Sequence, residues 1–450
     1  MSDVTISLYE QVMFAKKASL ILANLPRNIK DEALRAAALA IKKNKDLILE
    51  ANKLDMEIGH KLLKEGKLIK PLLDRLKLDE SKINEICKMI EKVAELDDPV
   101  GKTVYSMEMD KGLRVFKITV PFGVIAAIFE SRPDALPQIA SLCIKSGNAV
   151  LLKGGSEAKE SNRALFKVIY EAFIAEGLPK GCMQLLEERE AIKEILKMED
   201  LIDLIIPRGS NEFVKYIQEN TRIPVLGHSA GICHIYVDGS AKKDIAVEIC
   251  HDARVQYPAA CNSMKILLID RAIAKDFLPD VAKRLIESGV KIKGCSETLE
   301  ILKHYNIPAE PAIEEDWSTE YLDLTLPIKI VNGVDEAIEH INRYGSHHTD
   351  SIIAEDISTV KKFLSMVDSS TVMHNASTRF SDGYRYGLGA EVGISTNKIH
   401  ARGPVGLEGL VTTKYILLGS GQKVADYVGK NAKPFIHRRI EGSWLDYLGE

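Results

Sequence analysis

The stretch Lys145-Ser-Gly-Asn-Ala-Val-Leu-Leu-Lys-Gly-Gly-Ser-Glu157 decides how this chain folds. A short apolar run, Ala149–Leu152, stops at a lysine and two glycines, and helical spacing follows through Ser161–Glu176. That order describes a buried strand turning into a helix at its carboxyl end. The pattern repeats on both sides. Val124–Phe129, Met183–Leu186 and Leu201–Ile206 are further apolar runs, and Ala135–Lys145 is another helical segment. The texture is βαβ, with parallel strands covered by helices.

Further out, Met264–Ile269, Ile328–Val331 and Ser351–Ala354 mark a second strand-rich α/β region. Residues 1–98 read as helices, with apolar positions at Leu8, Val12, Ala15 and Leu20 and again at Leu34, Ala38 and Ile41. Val104–Thr119 reads as two strands about a turn at Asp110-Lys111-Gly112, where Gly112 can take positive φ. A hairpin that long needs a covering surface or a partner chain. The span 383–421 is dense in glycine, as tight turns or close backbone approach to a bound group require.

The 450 residues correspond to about three domains of ordinary size. Hydrophobic residues are 46% and charged residues 28%, which is globular usage. A net charge of −4 provides no broad basic field, so neither nucleic acid nor a membrane surface is expected as a partner, and a small molecule is. Seven cysteines are scattered without a C-x-x-C pair, so no disulfide framework or zinc cage is expected, and no metal is implied. Asp3 and Glu10 stand where a secretory signal would be basic and apolar, and the expected location is the cytoplasm.

Three places carry chemistry. Lys153 at a strand end, followed by Gly155 and Ser156, sets a cation and backbone N–H groups where α/β sheets bind ligands; a lysine there favours the 2′-phosphate of NADP, although a plain surface lysine reads equally. The fingerprint G-x-G-x-x-G is absent, since Gly387, Gly389 and Gly393 have the wrong spacing. Pro207-Arg-Gly-Ser-Asn-Glu212 precedes a helical stretch, so Gly209 and Ser210 either face a pyrophosphate or simply cap that helix. Cys261, in Gln256-Tyr-Pro-Ala-Ala-Cys-Asn-Ser-Met-Lys265, lies among small residues just before a strand, although a cysteine read alone is a small buried hydrophobe.

Taken together these segments resemble the aldehyde dehydrogenase superfamily. The resemblance rests on Pro121-Phe-Gly-Val-Ile125, Phe129-Glu-Ser-Arg-Pro133, Lys145–Gly155, Leu204–Gly209, Ile223–His228, Gly231–His234, Tyr257–Asn262, Glu339–Asp350, Asn375–Phe380, Glu391–Thr396 and Lys398–Gly409, covering about 10–425. The motifs fit best the branch that reduces L-glutamyl 5-phosphate to glutamate 5-semialdehyde with NADPH, the second step of proline synthesis.

The resemblance implies an α/β fold with a parallel-sheet dinucleotide-binding domain (1–103 and 120–232), a catalytic domain (233–415) and an oligomerisation arm (104–119 and 416–450). It implies a homo-oligomer, dimer or tetramer, and possible contact with glutamate 5-kinase; the length leaves no room for an attached kinase domain. Cys261 would be the nucleophile, and Lys153, Gly155, Ser156, Gly209, Ser210 and Glu320 would bind NADP or NADPH. Arg132 and Ser131 would meet the phosphoryl group or the oxyanion, and Asn375, Thr378 and Arg379 the glutamyl end.

Aldehyde-oxidising relatives carry a glutamate that activates water. The comparable stretch here, Pro224-Val-Leu-Gly-His-Ser-Ala-Gly231, has none. Loss of a general base costs about 10²–10⁴ in the step it serves, so a thioester here should survive to be reduced. His228, His234, His347, His348 and His400 read as hydrogen-bonded structural residues, Lys265 stands where the branch usually has an acid, and the tail Ile436–Glu450 matches nothing interpretable. Rival readings are a CoA-acylating or aldehyde-oxidising enzyme of the same fold, and a non-catalytic dinucleotide-binding scaffold.

Overall fold

The computed structural model describes residues 7–448 apart from 69, 189 and 229; Asp3 lies outside them. Two compact units form, one from 1–206, 221–225 and 406–450, the other from 207–220 and 226–405.

In the first unit, helix Arg27–Lys43 buries Ala33, Leu34, Ala37, Ala38 and Ile41 and packs on helix Glu80–Glu95, which buries Ile83, Ile86, Ile90 and Val93. Both stripes repeat every three or four residues, as an amphipathic helix must. Helix Leu8–Leu22 starts at a capping box between Ser7 and Glu10. Its inward face is Val12, Ala15, Ala18 and Leu22, whereas Leu20, expected on that face, is 68% exposed. Five residues after Ala15 a helix has turned well past the buried stripe.

Strands Met183–Leu185, Ala149–Gly154, Val124–Phe129 and Leu204–Arg208 lie side by side in that order. The central pair is parallel, with Ile125 opposite Val150 and Phe129 opposite Gly154, and every residue of Val124–Phe129 is buried. The last strand begins three residues later than the apolar run suggested. Asp203 is the reason: its carboxylate accepts from Val124 N at 2.7 Å and from Lys16 Nζ at 2.8 Å.

The hairpin Thr103–Asp110 and Leu113–Pro121 turns at Gly112, φ +72. Strand Val411–Leu418 pairs with its second arm and the short strand Arg438–Arg439 with its first. The uninterpreted tail therefore has a structural place: Arg438 pairs with Glu108 and Ser106 Oγ donates to Ile440 O.

In the second unit the described residues form a seven-stranded sheet in the order Glu310–Pro311, Lys291–Gly294, Thr325–Val331, Met264–Asp270, Cys233–Val237, Thr349–Ile353 and Thr371–His374. All pairings are parallel. Ile235, Val237, Leu267 and Ile269 pack with Phe277, Leu278 and Val281 of helix Ala274–Glu287 on one face. Tyr236, Ile266 and Leu268 pack with Ile338, Ile341 and Phe363 on the other. Burial on both faces accounts for the unbroken apolar runs.

Leu22→Ala should destabilise the protein by about 2–5 kcal/mol, whereas Leu20→Ala should fall within about 0.5 kcal/mol of the parent. Thermal unfolding of the two variants checks this assignment of the helix face.

Candidate active site

The nucleophile loop, 256–263, joins helix Lys243–Val255 to strand Met264–Asp270. Such a loop at a strand's amino end has no ladder to hold it, and buried side chains do so instead. Lys265, the first inward-reaching polar residue of the strand, donates to Pro258 O at 2.7 Å, Ala260 O at 2.9 Å and Ser263 Oγ at 2.6 Å. All three of its protons are used. Burial, with the nearby Arg254 charge, pushes the Lys265 ammonium down to about 8. Arg254, fully buried, donates to Met264 O at 3.0 Å and to Asp323 O. Asn262 Nδ2 donates to Ser381 O at 2.8 Å, and Arg379 donates to the Asn262 side-chain oxygen.

Two neighbours come within touching distance of Cys261 itself. Cys233 Sγ donates to Cys261 O at 3.1 Å. A Cβ at Gly231 would stand 2.5 Å from Cys261 Cα and 2.7 Å from its Cβ, so only glycine fits there.

The sulfur is half-buried and lies with His228 and His348, one ligand atom from each of the three within 4.8 Å of the others. The two rings meet edge to face at 5.0 Å. His228 Nδ1 contacts Ile394 O at 3.0 Å, which fixes that nitrogen as an N–H donor, and the ring also hydrogen-bonds the Cys261 side chain. His348 Nδ1 is 2.9 Å from Thr349 Oγ1. Burial opposes ionisation of the thiol, but the charges of His348 and His228 overcome it and hold Cys261 well below the ordinary thiol range. Reciprocally, burial disfavours the His228 imidazolium, yet the Cys261 thiolate outweighs it and lifts His228 to about 8.

Other charges sense the same sulfur. Lys265 and Arg379 are both attracted to it. The carboxyl of Glu391 accepts from Gly383 N at 2.8 Å. Burial raises it to about 7 against the pull of Arg208, and repulsion from Asp382 and Cys261 adds to the rise. Cations therefore surround the thiolate, while burial raises the Glu391 carboxyl that repels it.

The remaining expected residues are placed as follows. Lys153 is buried at the strand end, its Nζ 2.8 Å from Gly154 O. Gly155 follows, where a Cβ would lie 2.5 Å from the Glu157 carboxyl carbon, and Ser156 is exposed. Ser131 is buried at φ +46, and its N and Oγ donate to Glu157 Oε1 at 2.6 and 2.8 Å; Arg132 beside it is half-buried. Ser210 caps helix Asn211–Glu219, accepting from Phe213 N at 3.4 Å, and Glu320 accepts from Asn211 Nδ2 at 3.1 Å.

Asn375, at φ +49, spends its amide on Ala354, accepting from N at 3.0 Å and donating to O at 3.2 Å. Thr378 is fully buried, and its Oγ1 has no hydrogen-bond partner among the described residues. Arg379 also donates to Gln256 Oε1 at 2.8 Å, so this arginine braces the nucleophile loop.

Residues 8–293 match the model of the aldehyde dehydrogenase family. The chain belongs to that family. It is 52% identical over 445 residues to the gamma-glutamyl phosphate reductase of Methanococcoides burtonii, with 98% of this chain and 99% of the relative covered. Identity to the protein of the same name from Methanosarcina acetivorans is 53% over 438 residues, covering 97% and 98%. The crystal structure of gamma-glutamyl phosphate reductase from Thermotoga maritima matches with a TM-score of 0.87 at 40% identity, over 92% of this chain and 99% of that one. An acetylating aldehyde dehydrogenase from Geobacillus thermoglucosidasius, at 19% identity and a TM-score of 0.65, shares the fold. Family membership implies a nicotinamide cofactor.

His228 and His348, read from the sequence as hydrogen-bonded structural residues, are both set by the fold against the thiol. Lys265, which stands where the branch usually has an acid, clamps the nucleophile loop. No spacing joins positions 228, 261 and 348 in the sequence; the one available signal was that all three sit beside strands of a single parallel sheet.

Alkylation of Cys261 by iodoacetamide, followed by mass spectrometry in metal-free buffer, should stay fast below pH 7, where an ordinary thiol of pKa about 8.5 slows tenfold per unit. A lowered thiol pKa keeps the thiolate populated as pH falls, so His228→Gln should move the midpoint upward. A parent midpoint in the ordinary thiol range contradicts the ion-pair arrangement.

Proposed function

We propose that this chain reduces L-glutamyl 5-phosphate to L-glutamate 5-semialdehyde and phosphate with NADPH, the second step of proline synthesis from glutamate. The observation that carries the reading is the thiolate of Cys261 held among His228, His348, Lys265 and Arg379. That surround suits a nucleophile meeting an anionic substrate, and relatives about half identical over nearly the whole chain bear the reductase name.

The sulfur attacks the acyl carbon, the bond from that carbon to the phosphate oxygen breaks, and a thioester forms on Cys261. The N–H of Cys261 takes no hydrogen bond among the described residues, so it is available to the developing oxyanion. His228 then has a reason to give up its proton. Burial disfavours the charged ring and the thiolate is the main opposing influence that lifts it to about 8; once the sulfur is acylated that support goes, and burial is opposed only by the Ile394 carbonyl and Glu320. The proton can go to the departing phosphate. A bound nicotinamide supplies the hydride that takes the thioester to the aldehyde level. Collapse of the hemithioacetal frees the aldehyde and restores the thiolate, which draws the proton back to His228.

The residues present fit a dinucleotide. Lys153 and a glycine pair stand at a strand end, where α/β sheets bind dinucleotides. Gly209 and Ser210 at a helix start, with Ser156 and Glu320, are the other proposed contacts, Glu320 for ribose hydroxyls. Lys153 supports NADP over NAD by offering charge to the 2′-phosphate. Arg132, with Ser131, is proposed for the phosphoryl oxygens, and Thr378 with Arg379 for the glutamyl end. Asn375 keeps a positioning part there. Segments 1–103 and 120–232 are assigned to the nucleotide and 233–415 to acyl chemistry, with 104–119 and 416–450 as an oligomerisation arm, where Leu417 is exposed. Among the described residues no helix is long and apolar enough to cross a membrane, and a cytoplasmic location fits the reaction.

The decisive assay is NADP reduction with glutamate semialdehyde. It should require phosphate, ignore CoA, vanish in Cys261→Ser and fall at least about 100-fold in Arg132→Ala with the fold intact. Activity that ignores phosphate and responds to CoA favours an acylating dehydrogenase instead. In the same assay Lys153→Ala should raise the KM for NADP by about tenfold or more and change that for NAD little; equal changes for both remove Lys153 as the selector.

A further inference from the structure

One sulfur and two imidazoles, from Cys261, His228 and His348, converge from three separate stretches of chain, with their ligand atoms all within 4.8 Å of one another. Sulfur with two nitrogens is the donor set of a borderline-soft divalent cation, and Zn²⁺ takes Cys at about 2.3 Å and His at about 2.0–2.1 Å. Those bond lengths require the three side chains to close in by roughly an ångström, within reach of small rotations.

Two further observations point to a ligand. His228 Nδ1 is held by Ile394 O at 3.0 Å, the backbone-carbonyl contact that orients a metal-bound histidine through its other nitrogen. His348 is fully buried, and its Nε2 has no hydrogen-bond partner among the described residues.

We propose that His228, Cys261 and His348 form a reversible three-ligand site for a soft divalent cation, best matched by Zn²⁺, which masks the nucleophile. The thiolate and two imidazole lone pairs donate to the metal, any imidazole proton passes to water, and no electron changes hands. The fourth position stays open to water, as in catalytic zinc sites. A sulfur so bound can neither attack a carbonyl nor be alkylated until the metal leaves. The proposal goes beyond the reductase reading, since binding needs the three donors and no substrate.

Co²⁺ is the probe, added to the reduced, chelator-treated full-length protein. One equivalent per chain should produce a sulfur-to-cobalt charge-transfer band that Zn²⁺ abolishes by displacement. The band should be lost in Cys261→Ser, and the affinity should fall at least about tenfold in His228→Gln and His348→Gln. Cys295→Ser, which removes the other half-exposed thiol, should leave the band unchanged. Zn²⁺ should also slow iodoacetamide labelling of Cys261, and EDTA should restore it. Circular dichroism confirms that each variant is folded. A band surviving in Cys261→Ser, histidine variants that bind as tightly as the parent, or binding that does not saturate at one equivalent overturns the proposal. Because binding is read without turnover, this outcome and that of the phosphate-dependent assay stand apart.

Discussion

A thiolate half-buried in protein is unfavourable by itself, because burial takes solvation from the charged form. Cys261 tolerates it because His228 and His348 stand beside it. At 5 Å, with an effective dielectric near 20, an opposite unit charge is worth about 3 kcal/mol before solvation losses. That is enough to move a thiol by roughly two pKa units. The effect is mutual, so neither Cys261 nor His228 has its titration behaviour independently of the other.

The same constraint explains what is kept away from the sulfur. A second full negative charge nearby would cancel the gain from the imidazoles. Glu391 interacts with Cys261, but burial lifts its carboxyl to about 7, so at neutral pH it carries only part of a charge. Arg379, which also feels the sulfur, grips the Asn262 side chain rather than a carboxylate, although Asp382 and Asp252 also act on its charge. The site's electrostatics thus depend as much on a muted acid as on the bases.

Much of this was legible in the amino-acid order, for identifiable reasons. Strands buried on both faces leave unbroken apolar runs, so Val124–Phe129 and Met264–Asp270 could be read directly. Cys233–Val237 was missed because its five residues include a histidine and a cysteine, and Lys291–Gly294 because lysines flank its single buried isoleucine. Arg438–Arg439 carries no apolar signal, since its pairing depends on Glu108 across the ladder. In the site, Cys261 was found through its motif. His228 and His348 were not recognised, because their meeting is produced by neighbouring parallel strands whose order in space, Met264–Asp270, Cys233–Val237, Thr349–Ile353, is not their order in the chain.

Lys265 shows why the loop and the chemistry cannot be separated. Its ammonium satisfies the carbonyls of Pro258 and Ala260 and the hydroxyl of Ser263, which would otherwise be buried with fewer partners. The charge that binds those oxygens is also attracted to the sulfur they help to place. An acid at this position would accept where the loop needs a donor and would repel the thiolate. A neutral apolar residue would spare the desolvation of an ammonium but leave the carbonyls unpaired. A lysine whose pKa burial lowers only to about 8 remains largely charged at neutral pH, and so it meets both demands at once.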